Sequence, residues 1–162
     1  MKTLWLLTIL AAMSLVPASS GTAQAACTVQ SVVGTYASTC TGFVAINPND
    51  PTTIVPYASH GFFTNKIVGG ELISTASLTQ SVAGALSTVI GTAGPGEVTV
   101  SSDCTSTVTY HVSGGPLDGS QSHLLVSILD GGKEFQSFFN DAGTIVTCSA
   151  RLMSRIVSQN EQ

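Results

Sequence analysis

The chain has 162 residues, 43% of them hydrophobic and only 9% charged, and its nine acidic residues outnumber five basic ones for a net charge of −4. So sparse and acidic a balance excludes a nucleic-acid surface, which needs clustered Lys and Arg to neutralise phosphates, and argues against a polyanion or acidic-lipid partner. Apolar residues are too plentiful for a disordered chain, and the length suits one core rather than two.

The chain opens on Lys2, an apolar run from Leu4 to Val16, and the small residues Ala23-Gln24-Ala25, which fit an A-x-A cleavage pattern. The run falls short of the roughly 20 residues a spanning helix needs, and no second one follows. Residues 1–25 are therefore expected to be a cleaved signal peptide and residues 26–162 a single mature domain. That domain would be secreted, or held in the secretory pathway or periplasm, with no membrane anchor.

No convincing 3.6-residue apolar stripe occurs in the mature part. Short runs of β-branched and aromatic residues recur instead, divided by Gly, Pro, Asn and Asp, and this is how an antiparallel β protein reads. In order they are Val32 to Val44, Ile54 to Thr64, Glu71 to Val82, Ser87 to Thr92, Glu97 to Ser101, Thr105 to Ser113, Ser120 to Leu129, Lys133 to Asn140 and Gly143 to Met153. Between them, Asn47-Pro48-Asn49-Asp50-Pro51 is a proline-punctuated loop, Gly69-Gly70 and Gly114-Gly115-Pro116 supply positive φ, and Asp130-Gly131-Gly132-Lys133 resembles a tight hairpin. Connections this short forbid parallel crossovers, so neighbours in sequence pair antiparallel. Eight or nine such strands close into a barrel or stack as a sandwich. The fold expected is all-β, a single antiparallel barrel of eight or nine strands.

Alternation gives several runs one buried side. Val108, Tyr110 and Val112 share a face opposite Thr107, Thr109 and His111, and Phe135 and Phe139 share a face opposite Phe138. The face Leu72, Ser74, Ala76, Leu78 is too small and polar to fill a barrel centre. Such a face suits a cavity, and equally a packed interior in which small residues meet large ones.

Cys27, Cys40, Cys104 and Cys148 all follow the leader. An even count in an oxidising compartment points to two disulfides, and the spacing lacks the close pairs a zinc site uses. If the first and last long strands of a closed meander are neighbours, Cys40 and Cys148 come within bonding reach, which leaves Cys27 with Cys104.

No motif names a reaction. The histidines His60, His111 and His123 form no H-x-H or H-x-x-x-H pair, the serines no G-x-S-x-G elbow, and the glycines no phosphate-binding loop. Neither a metal nor another cofactor is expected. What remains are aromatic and hydroxyl groups expected to face inward: Tyr36, Tyr57, Phe63, Tyr110, Phe135 and Phe139. They suit a flat, apolar, oxygen-bearing ligand, and as ordinary core packing they need none.

Val33-Gly34-Thr35-Tyr36, Pro56 to Phe63, Asp103-Cys104-Thr105-Ser106-Thr107, Asp130-Gly131-Gly132-Lys133-Glu134 and Asp141 to Val146 together resemble a group of small secreted proteins with G-x-Y, P-[FY]-A-x-x-G, D-C-[TS]-x-[ST], D-G-G-x-E and D-x-G-T-x-V motifs. The resemblance implies a barrel related in shape to allene oxide cyclase and dirigent barrels. In size, leader and lack of cofactor motifs the chain is also similar to the hetero-Diels-Alderases of fungal tropolone-sesquiterpenoid pathways. On that basis the expected activity is a cofactor-free cyclisation of a small organic substrate. Tyr36, Phe63, Tyr110, Phe135 and Phe139 would stack the ligand, while Tyr57 or His123 would polarise its carbonyl. A non-catalytic lipophile-binding barrel and a structural or host-interaction protein are the alternatives.

Overall fold

The computed structural model describes residues 26–47, 50 and 52–156, so the expected signal peptide lies outside the described residues. Nine strands follow in order: β1 (Gly34–Ala45), β2 (Ile54–Val68), β3 (Glu71–Val82), β4 (Ala85–Ala93), β5 (Val98–Val100), β6 (Thr105–Ser113), β7 (Gln121–Leu129), β8 (Glu134–Phe139) and β9 (Ile145–Ser154). Every pairing is antiparallel. The sheet runs β4-β3-β2-β1-β9-β8-β7-β6, and β4 pairs with β6 to close it into a barrel of eight strands, while β5 adds to β6 as an extra strand. The expected barrel and its nine strands are present.

Most boundaries move by one or two residues from the sequence reading, and two of the shifts follow from the turns. β2 continues past Thr64 to Val68, because Gly69 and Gly70, at φ 60° and 86°, form a two-residue turn that pairs Val68 with Glu71. β4 begins at Ala85 rather than Ser87, because Ala83 and Gly84 form a second such turn at φ 51° and 85°. Turns with both central residues at positive φ match the twist of the strands they join. The Asp130-Gly131-Gly132 segment makes a short 3-10 turn between β7 and β8.

The inward face follows strict alternation. On β1, Tyr36, Ser38 and Cys40 are buried, and on β9, Val146, Cys148 and Ala150 are buried. The outward face of the barrel is coated with threonine and serine. Thr35, Thr64, Thr75 and Thr92 stand opposite one another in a row across β1 to β4. Thr35 and Thr64 hydrogen-bond at 3.1 Å, and Thr39 bonds Ser149 at 3.2 Å.

One end of the barrel is plugged. A 3-10 turn, Val29–Val32, lies beneath it with Val32 buried. The turn is held by Asn65 Nδ2, which donates to Val32 O at 3.2 Å, and by Arg155, which donates to Ser31 O at 2.5 Å and to Gly131 O at 3.2 Å. The Tyr36 hydroxyl lies 3.0 Å from Val32 O and 2.9 Å from Gly132 O, tying plug and β7–β8 turn together. Above it, Tyr36 stacks on Phe63 at 4.9 Å and meets Phe135 edge-on at 4.6 Å between ring centres.

Both disulfides pair as expected. Cys27–Cys104 anchors the plug to the turn before β6, and Cys40–Cys148 joins residues directly opposite each other on β1 and β9. Two disulfides fit an oxidising, extracytoplasmic compartment. Among the described residues no helix is long and apolar enough to cross a membrane.

Candidate functional site: an uncharged cavity inside the barrel

Between the aromatic cluster over the plug and a second cluster at the far end, containing Val44, Tyr57, Val82 and Val146, the interior is hollow. The space available to the centres of water-sized molecules is about 110 Å³. Its origin lies in side-chain size. The inward positions between the clusters include Ser38 on β1, Ala76 on β3, Gly91 on β4, Ser106 on β6 and Ser122 on β7, none large enough to reach the barrel axis. Of the small face of β3 read from the sequence, Ala76 and Leu78 line the cavity while Leu72 packs in the aromatic cluster, and Leu117 from the β6–β7 connection completes the wall.

Among the described residues, the lining carries no Asp, Glu, Lys, Arg or His. Its polarity comes from hydroxyls and amides whose hydrogen bonds are in part already made. Tyr110 donates to or accepts from Ser74 at 2.6 Å. It reaches that partner across β4 because Gly91 has no side chain: a Cβ there would stand 3.1 Å from the Tyr110 ring. Burial pushes the Tyr110 phenol up to about 12, with the Ser74 bond opposing. Gln80, 2% exposed, donates from Nε2 to Ser87 Oγ at 3.3 Å.

Burial likewise raises the Tyr57 phenol, and the neighbouring Ser59 hydroxyl lowers it. Ser59 is 6% exposed, and its Oγ has no partner other than this contact with the Tyr57 phenol. The Tyr57 ring packs edge-on against Phe139 at 6.3 Å.

Of the residues singled out in the sequence, Tyr57, Phe63, Tyr110, Phe135 and Phe139 are brought together around this cavity. Tyr36 is not among its walls. It is wholly buried in the aromatic cluster, its hydroxyl engaged by the two carbonyls of the plug and the turn, and burial pushes its phenol up to about 12, with Arg155 opposing. His123 does not reach the interior either. It faces outward on β7, where Nδ1 lies 2.7 Å from Asp141 Oδ1 and its backbone N–H donates to Oδ2 at 3.1 Å. The polarising role expected of His123 is therefore corrected. His111 is outward too, 2.5 Å from Glu97. Among the described residues no group of three or more His, Cys, Asp or Glu is placed to hold a metal ion.

Ser59, Gln80 and Gly91 were not singled out from sequence. Strand parity alone, counted from Tyr57 on β2 and from Leu72 on β3, places the first two on the inward face. The chain matches no protein-family model, no curated protein and no solved structure.

Proposed function

We propose that this barrel, secreted behind the leader at residues 1–25, binds one small, uncharged, largely apolar molecule in its interior. The observation that carries the reading is a cavity inside the barrel lined, among the described residues, by aromatic rings, aliphatic side chains, amides and hydroxyls, without one ionisable acid or base other than phenols. A charged ligand would lose its hydration there and gain no counter-ion. The volume of about 110 Å³ is on the scale of the ~150 Å³ apolar cavity that admits benzene, so the ligand is about one ring with small substituents. Thermal shifts against a panel of small aromatic and alicyclic compounds test this. A binder present at a hundred times its Kd adds about 2.7 kcal/mol. Ala76→Leu, which fills the hollow, should raise the melting temperature of the free protein and abolish the ligand-induced shift. A filled variant that binds as well as the parent refutes interior binding.

A second reading, cofactor-free cyclisation, draws support from the phenols of Tyr57 and Tyr110. Their raised pKa values keep both protonated across neutral pH, so either can donate to a carbonyl oxygen on which charge develops. Holding reacting atoms in contact supplies the rest, with no nucleophile required. The cavity volume favours closure of a ring within one molecule over the joining of two large partners. Single-turnover rates for a small α,β-unsaturated carbonyl substrate, with product stereochemistry, test this. Racemic product at the uncatalysed rate rules it out.

A further inference from the structure

We infer that the interior ligand is an uncharged alcohol or phenol whose hydroxyl donates to the side-chain amide oxygen of Gln80. This rests on the interior-binding reading and assigns the chemical class of its ligand. Gln80 stands on the inward face of β3, between Leu78, which lines the cavity, and Val82 of the far cluster, and it lines the cavity itself. It is 2% exposed, so its amide has been taken out of bulk water. That desolvation is costly unless the oxygen and nitrogen both find partners.

The fold supplies a partner on the nitrogen side only. Nε2 donates to Ser87 Oγ at 3.3 Å, and a Cβ on Gly115 would stand 2.8 Å from Nε2 and 2.7 Å from that oxygen, so this side is closely packed. Among the described residues nothing donates to Gln80 Oε1. Ser59 Oγ, whose contact is the Tyr57 phenol, is the one otherwise unpartnered side-chain atom closed off from every surface. The Gln80 oxygen therefore keeps a surface, and the open space beside Gln80 is the cavity. The other amide of the wall, Asn65, stands lower, opposite Gly34, where Nδ2 donates to Val32 O at 3.2 Å and holds the plug.

An amide oxygen accepts and cannot donate, so a hydrocarbon, an ether or a ketone leaves it bare. A hydroxyl supplies the missing hydrogen without bringing a charge. An ammonium ion would supply one too, but it needs a counter-ion that the lining does not carry. Leu78 and Val89, paired across β3 and β4, offer contact to the apolar remainder of such a molecule.

The test uses phenol, toluene and anisole. Toluene exchanges the hydroxyl for a methyl group of nearly the same size, and anisole keeps the oxygen but loses its hydrogen. Affinities are measured by NMR titration of the oxidised protein, and the quantity read is the phenol to toluene affinity ratio. In Gln80→Met, which keeps the length of the side chain and removes the amide, that ratio should fall about fivefold, the worth of one net hydrogen bond, while toluene and anisole affinities stay within about twofold. Ser106→Ala, at a wall serine on β6, should leave the ratio unchanged. In the parent, the Gln80 side-chain carbonyl carbon should move further on binding phenol than on binding toluene, a reading that does not depend on the variant folding. An unchanged ratio in Gln80→Met, an equal fall for phenol and anisole, or a Gln80 carbon as indifferent to phenol as to toluene overturns the assignment and leaves interior binding standing. If no probe binds the parent, both readings fall.

Discussion

Gly91 shows how a single hydrogen atom shapes the site. Its bare Cα lets the Tyr110 ring lie over β4 and meet Ser74 on β3. Gly91→Ala should push that ring aside and break the bond, at a cost of about 1–3 kcal/mol in chemical denaturation. An unchanged denaturation midpoint would mean the ring shifts freely. The phenols also govern the response to alkali. Tyr36 and Tyr110 bind their protons more tightly in the fold, with pKa values raised from 10.0 to about 12. The native state thus holds protons the unfolded chain has released. The contribution of these phenols should be level below pH 10 and make stability fall between pH 10 and 12 by about 1.4 kcal/mol per pH unit for each tyrosine. Urea midpoints across that range check it, and Tyr110→Phe should flatten the slope. At this scale the sequence was only partly legible. Tyr57 and Phe139 could be placed by parity. His123 could not, because His123-Leu124-Leu125-Val126 lacks the alternation that tells an inward from an outward position. Tyr36 points inward as expected, but one of the two carbonyls that capture its hydroxyl, Gly132 O, comes from far along the chain.

Turns and close strand contacts decide the register of each element. Ala83 holds a φ of 51°, which costs an L-residue with a Cβ about 1 kcal/mol, in a turn that favours Asn or Gly. Ala83→Asn should raise stability by roughly 0.5–1 kcal/mol. A lowered melting temperature would show that the methyl group is needed. Gly42 on β1 stands against β9, and a Cβ there would collide with Ile145 O and Val146 Cα. Nine runs in the sequence correspond to nine strands because β-branched residues and glycine breaks both act locally. The early start of β4 was missed for the same reason in reverse, since Ala83 is not a residue that announces such a turn. The extra strand β5 is only Val98–Val100, and it attaches to β6 as a local hairpin through the turn at residues 101–104.

Across the whole molecule, the cystines close long loops, spanning 77 and 108 residues. By chain entropy each contributes on the order of 4 kcal/mol. A Cys40→Ala/Cys148→Ala protein should lose about that much in denaturant titration, and an unchanged midpoint would mean that strand pairing alone holds the seam. EDTA should leave the melting temperature where it is. Cys40–Cys148 has a mechanical consequence as well. The chain enters β1 and leaves β9 at the same end of two paired strands, so force applied at the termini peels them apart like a zipper. The peel stops at the cystine. Cys27–Cys104 carries the load to the turn before β6, inside the hoop that Cys40–Cys148 closes, and between Cys27 and Cys148 the chain can extend no further than the residues from Cys27 to Cys40 allow. Single-molecule stretching of the oxidised protein should release only that segment and the tail after Cys148, and full extension should appear only after reduction.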